Sequence, residues 1–131
     1  MIFVDTSVWV AAFRSASCPE AEHLKELLDA DRVALAAPVR IEILAGSSVQ
    51  ERPRLRRLLS ALPTFYPSEA TWERIEAWVD AAGRAGETFG FADLLIGALA
   101  REQDGAIWAL DSDFRRMAAL GLVERHDPSE A

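Results

Sequence analysis

Cysteine is nearly absent from this sequence of 131 residues: Cys18 stands alone, which excludes an internal disulfide and any cysteine-based zinc cluster. Histidine is as scarce. His23 and His126 are too few and too scattered along the chain for a histidine-rich metal site. Any metal would have to be held by carboxylates, which select a hard cation such as Mg2+ or Mn2+. No apolar run approaches the ~20 residues that a membrane helix needs. The amino-terminal stretch MIFVDTSVWV has neither a basic region nor a small-residue cleavage site, so it does not read as a signal peptide. A soluble, cytoplasmic protein with no membrane partner is expected. Positive charge is also in deficit, with 14 Lys plus Arg against 21 Asp plus Glu and a net charge of −7. A nucleic-acid partner normally shows as excess basic charge. That objection weakens if carboxylates bind metal, since two divalent cations would bring −7 to −3. Net charge alone does not decide.

What remains is an ordinary globular balance, 50% hydrophobic and 27% charged, sufficient for one core and one domain over residues 1–131. Ile2–Val4 reads as a short buried strand, and Asp5-Thr6-Ser7 offers cap chemistry for a helix reaching about Phe13. Pro19 opens a helix that runs to about Ala30, and Val33–Ala36 is a second buried strand. A helix from Pro38 ends at Gly46, and Gln50–Leu62 is helical with a basic, solvated face of Arg52, Arg54, Arg56 and Arg57. Thr64–Tyr66 is a short strand. Glu69–Ala85 is a long helix, read with Trp72, Ile75, Val79 and Ala82 on its apolar side. Then come a helix Ala92–Arg101, a strand Ala106–Leu110, a helix Ser112–Leu120 and a last strand Leu122–Arg125. Buried strands alternating with helices predict an α/β fold with a central, mainly parallel sheet of about five short strands, flanked by helices on both faces. In such sheets ligands sit beyond the carboxyl ends of the strands.

Four acids lie in segments that otherwise want burial: Asp5 after Ile-Phe-Val, Glu42 inside Val-Arg-Ile-Glu-Ile-Leu-Ala, Asp93 before Leu-Leu-Ile-Gly-Ala-Leu-Ala, and Asp111 after Trp-Ala-Leu. Singly, each has a plainer reading. Asp5 and Asp111 are potential helix caps, with Asp113 competing for the second cap, Asp93 gains from the dipole of the helix it opens, and Glu42 is a solvated helix residue. Together they make a different case. Desolvating an unpaired carboxylate costs several kcal/mol, and carboxylates crowded at one edge repel one another. A divalent cation relieves both costs.

In order and spacing, Val-Asp5-Thr-Ser, Ile-Glu42-Ile-Leu-Ala-Gly, Ala-Asp93-Leu-Leu-Ile-Gly-Ala-Leu-Ala and Leu-Asp111-Ser-Asp-Phe resemble the PIN-domain ribonucleases. The resemblance covers essentially the whole chain and is strongest to the small VapC-type toxins of prokaryotic toxin–antitoxin pairs. One departure is Ala109, where such proteins often carry Thr or Ser two positions before the fourth acid. The resemblance implies a PIN-like fold and an endoribonuclease dependent on Mg2+ or Mn2+ that leaves a 5′-phosphate and a 3′-hydroxyl. It implies Asp5, Asp93 and Asp111 as direct metal ligands, with Glu42 acting through water or at a second ion. Thr6 and Ser7 would position water or a carboxylate, and Asp113 competes with Asp111 for the place of the fourth acid. Its partners would be an RNA substrate and a small VapB-like antitoxin. A homodimer is also expected, from the family habit and from a surplus of apolar bulk that includes Trp9, Trp72 and Trp78. The alternatives are a non-toxin nuclease of RNA processing, or a non-catalytic RNA- or protein-binding module on the same fold. A phosphotransferase with an aspartyl nucleophile is disfavoured, since haloacid-dehalogenase-like enzymes need a second acid where Ser7 stands.

Overall fold

A computed structural model of the chain describes residues 1–129; the last two residues of the expected domain lie outside the described ones. The elements follow in the order β1 (Ile2–Val4), α1 (Thr6–Arg14), α2 (Pro19–Asp29), β2 (Val33–Ala36), α3 (Ala37–Ala45), α4 (Arg52–Ser60), β3 (Thr64–Phe65) and α5 (Glu69–Arg84). They continue with α6 (Phe91–Glu102), β4 (Ala106–Trp108), α7 (Asp113–Ala119) and β5 (Glu124–Arg125). The five strands form one sheet in the order β3-β2-β1-β4-β5, and every pairing is parallel. The expected α/β architecture is present. No described helix is long and apolar enough to cross a membrane.

The strand order places a switch point between β1 and β4. From β1 the chain builds outward through β2 and β3, then crosses back to lay β4 on the other side of β1. Ile2, Phe3 and Val4 pair with Ala106, Ile107 and Trp108, and the Asp5 amide extends that ladder by donating to the Trp108 carbonyl at 2.9 Å. A crevice outside the carboxyl ends of the strands at such a point is where ligands of open α/β sheets bind. Asp5 and Asp111 both emerge there.

The central strands are apolar on both faces because helices cover both. All of β1 and β2 is buried. Helix α6 is the most enclosed helix, with every residue from Leu94 to Ala100 buried. Fully burying a side chain such as Leu95, Ile96 or Leu99 is worth about 1.5–3 kcal/mol, so this helix is firmly placed, and Asp93 is carried on its first turn.

Several expectations need correction. On α5 the buried face is Thr71, Ile75, Trp78 and Ala82, whereas Trp72 and Val79 are 40% and 52% exposed. Positions 71, 75, 78 and 82 follow the i, i+4, i+7, i+11 row of a helix; the apolar residues at 72 and 79 lie outside it. Trp9 and Trp78 are core residues, so they supply no surplus apolar surface. Arg52 is not a solvated member of a basic face: its Nε and Nη2 donate to the carbonyls of Leu44 and Ser47 at 3.0 and 3.1 Å, satisfying carbonyls at the end of α3. Strands β3, β4 and β5 are shorter than their apolar runs, with Tyr66, Ala109, Leu110, Leu122 and Val123 outside the ladder.

Two glycines set close approaches that align β4 and α6. A β-carbon at Gly105 would lie 2.7 Å from the Phe3 ring and 3.2 Å from the Met1 carbonyl. One at Gly97 would meet the mobile end of Met117 at 2.8 Å and Trp78 and Val123 at 3.1 Å. Gly105→Ala is expected to destabilise by about 1–3 kcal/mol, because neither ring nor backbone yields easily. Gly97→Ala should cost less, since the helix propensity of alanine returns up to ~1 kcal/mol. Urea unfolding of both variants checks the order, and an equal or smaller loss at Gly105 would contradict it.

Candidate active site

Asp5 directly follows β1 and caps α1, and is only 6% exposed. Its Oδ2 accepts from the Ser7 hydroxyl at 2.7 Å and from the Ser7 amide at 3.2 Å. The same hydroxyl accepts from the Leu110 amide at 3.1 Å. A relay thus joins the buried acid to the chain leaving β4, and fixes Asp5 relative to Asp111. Thr6, on the first turn of α1, donates its hydroxyl to Glu42 Oε1 of α3 at 3.2 Å. That bond brings in Glu42 from 36 residues away.

The remaining acids arrive from the other side of the switch point. Asp93 lies in the first turn of α6, and Asp111 follows β4, where its Oδ1 accepts from the Asp113 amide at 3.1 Å. Asp113, the first residue of α7, is bound by Arg116 one turn later at 2.7 Å. Arg116 also pairs with Glu87 and lies over the Phe89 ring, 4.9 Å from its centre.

The electrostatics show that these acids share one field. Burial pushes the Asp93 carboxyl up to about 7, helped by a hydrogen bond with Asp113 and by the charges of Asp111, Asp113 and Asp5. Burial also raises Asp111, with Asp5 adding to the effect, against hydrogen bonds from the Asp113 and Phe114 amides. Burial raises Glu42 too, and Asp5 contributes, while the Thr6 hydrogen bond opposes the shift. Asp113 moves the other way: Arg116 holds it below the ordinary carboxylate range, and Asp93 shares a hydrogen bond with it. Among the described residues, no Lys or Arg forms an ion pair with Asp5, Glu42, Asp93 or Asp111. Asp113 has its counter-charge, and the other four acids do not.

Among the described residues, no three His, Cys, Asp or Glu side chains are already gathered about one point as a metal cage. Mg2+ does not require that: it keeps several of its waters, through which carboxylates that stand apart in the metal-free chain can share one ion. The donor set is oxygen throughout, and Asp5 is buried without a cation beside it, so the residues fit a hard divalent ion. Of the residues expected at the site, Asp5, Glu42, Asp93, Asp111, Thr6, Ser7 and Asp113 all come to this end of the sheet. Sequence reasoning missed Arg116 and Glu87. The i, i+3 spacing of Asp113 and Arg116 on a helix was a usable signal; the Glu87 contact, made across the fold, had none.

The PIN domain family model matches residues 2–120. Ribonuclease VapC11 of Mycobacterium tuberculosis is 37% identical over 125 residues, covering 92% of this chain and 93% of that protein. VapC ribonuclease Mb1587 of Mycobacterium bovis matches to the same extent, 37% over 125 residues. Among solved structures, VapBC-1 from nontypeable Haemophilus influenzae superposes with a TM-score of 0.77 at 20% identity, covering 99% of this chain and 100% of that one. VapBC2 from Rickettsia felis, bound to a DNA fragment from its promoter, gives 0.76 at 20% identity over 96% and 98%. At those identities the structural likeness is one of fold.

An acid with a higher pKa in the folded chain than its ordinary 3.8 binds its proton more tightly when folded. The stability from that proton is complete below the ordinary value and is lost as pH rises through about 7. Asp93→Asn should therefore stabilise the metal-free protein near pH 8 by about 1–2 kcal/mol, after discounting for solvent around a half-buried group. The gain should vanish toward pH ~4. Urea unfolding in chelator at both pH values checks this, and a gain independent of pH would contradict it.

Proposed function

This chain belongs to the PIN-domain family, in its VapC ribonuclease branch, and from that premise we propose that it is an endoribonuclease, the toxin of a VapBC-type pair, working with Mg2+ or Mn2+ held by Asp5, Asp93 and Asp111. Glu42 is an additional ligand, through water or at a second ion. The observation that carries this reading is the set of acids at the switch point that lack a cation partner among the described residues, on a chain that otherwise pairs its local acid, Asp113, with Arg116. The bound ion supplies a water of lowered pKa and neutralises charge on the attacked phosphate.

The chain's own residues prepare that chemistry. Ser7 gives both its hydroxyl and its amide to Asp5 Oδ2, which locks the carboxylate without neutralising it. Thr6 holds Glu42 toward Asp5. Asp111 takes the place of the fourth acid, because Asp113 is tied to Arg116 and steadies Asp93 by their shared hydrogen bond. Ala109 adds no hydroxyl at this end of the sheet, so positioning falls to Thr6 and Ser7.

One domain over residues 1–131 carries the activity, acting in the cytoplasm on RNA and restrained by a small VapB-like antitoxin. A symmetric homodimer belongs to the same proposal. Its support is now the exposed stack of Trp72 on Phe91, with ring centres 5.9 Å apart, together with Val79. Light scattering should show a dimer that Trp72→Glu disrupts; a monomeric wild type would remove this part of the proposal.

The direct test is cleavage of single-stranded RNA by the purified chain. Millimolar Mn2+ or Mg2+ should be required, the products should carry 5′-phosphates, and Asp5→Asn should reduce the rate by a factor of ~100 or more. Metal should also raise the Tm of the wild type, following RT ln(1 + [L]/Kd), but not that of Asp5→Asn/Asp93→Asn. A folded wild type that binds RNA without cutting it would favour a non-catalytic module.

A further inference from the structure

The two histidines, expected to be scattered, meet. His23 of α2 and His126, just after β5, face each other with Nε2 to Nε2 at 2.8 Å, rings nearly coplanar at 9° and centres 5.1 Å apart. That is a head-to-head N–H···N hydrogen bond, in which one ring donates and the other accepts. Trp108 meets both rings edge-on. The pair forms part of a cavity of about 300 Å³ beyond the carboxyl ends of β4 and β5. This volume is at the small end of the ~300–1,000 Å³ usual for ligand pockets.

The cavity is tied to the proposed active site through the chain that leaves β4. Leu110 lines it, Asp111 is the next residue, and the Leu110 amide is the one that donates to Ser7 beside Asp5. Helix α7 serves both places: Arg116 binds Asp113, while its neighbour Arg115 lines the cavity. Arg125 is there too, with Asp127 at 4.0 Å. In a chain of net charge −7, two guanidinium groups, two imidazoles and an aromatic wall meet in one open cavity. A metal is a poor occupant, since the imidazoles already satisfy each other and, among the described residues, no third ligand is gathered with them.

We infer that this cavity receives one nucleotide of the RNA strand near the scissile phosphate, with Arg115 and Arg125 meeting its phosphate, and with the Glu20 carboxylate and the His126 Nδ1 left over by the imidazole pair reading the edge of its base. Proteins recognise single-stranded RNA through unstacked bases held against aromatic walls and hydrogen-bonded along their edges. The inference deepens the ribonuclease reading, and rests on it for the choice of RNA as ligand. It assigns sequence preference to a site separate from the carboxylates that cut.

Because the chain has only two histidines, their ring signals in NMR report on this cavity alone. Titration of metal-free wild type and of Asp93→Asn with AMP, GMP, CMP and UMP should shift both rings, with one base preferred, and Arg115→Ala should weaken the binding. On a randomised single-stranded RNA pool, Arg115→Ala should raise KM about tenfold, more than it lowers kcat, and relax the preference at one position flanking the cut. Nucleotide binding without any RNA cleavage would keep the pocket and remove the ribonuclease reading. Metal-dependent cleavage with unmoved histidine signals and the same cut-site preference in Arg115→Ala would overturn the pocket and leave that reading intact.

Discussion

Mutual repulsion among carboxylates at the end of a parallel sheet is the constraint on which the rest of the site depends. Asp5 is buried on a strand that cannot shift, because β1 is the middle strand and pairs on both sides. Asp93 is fixed by the burial of α6, and Asp111 by the chain leaving β4. None of these acids can move far from the others without giving up core contacts worth several kcal/mol. The fold therefore holds like charges together, and burial, with that repulsion added, raises the pKa values of Asp93, Asp111 and Glu42. A site that stores this repulsion is prepared for a cation.

The chain distributes its few basic residues consistently with that role. Arg52 is spent on the carbonyls at the end of α3. Arg116 is held by Asp113 and Glu87, so it neutralises the border of the site rather than its centre. Arg115 and Arg125 lie in the neighbouring cavity. An overall charge of −7 is thus compatible with the proposed RNA substrate, because four of the acids lie where metal is proposed and two guanidinium groups line the neighbouring cavity.

Much of this was legible in the sequence because the signals were local. Ile-Phe-Val before Asp5 and Val-Ala-Leu-Ala in β2 are buried runs with one reading, and their alternation with helices implied the parallel sheet. The acids stood out because each interrupts apolar company. What could not be read was phase and partnership. On α5, Trp72 and Val79 are apolar yet face outward, and only the packing of Thr71 against the core reveals the true face. Arg52 looks like its exposed neighbours on the same helix, since the carbonyls it satisfies belong to the preceding helix and loop. His23 and His126 are separated by 103 positions, and nothing in either local segment announces the other. The proposed choice of Asp111 over Asp113 likewise draws on structure, because Arg116 stands beside Asp113.

The central claim is that Asp5, Asp93 and Asp111 hold a divalent ion at the switch point of the sheet. Anomalous diffraction from crystals of the wild type grown with Mn2+ tests it most directly. The account predicts a manganese peak among these three carboxylates, with Glu42 nearby, and the loss of that peak in Asp5→Asn crystals. Manganese bound elsewhere, or no ion at that place in a protein that still cuts RNA in the same Mn2+ buffer, would contradict it.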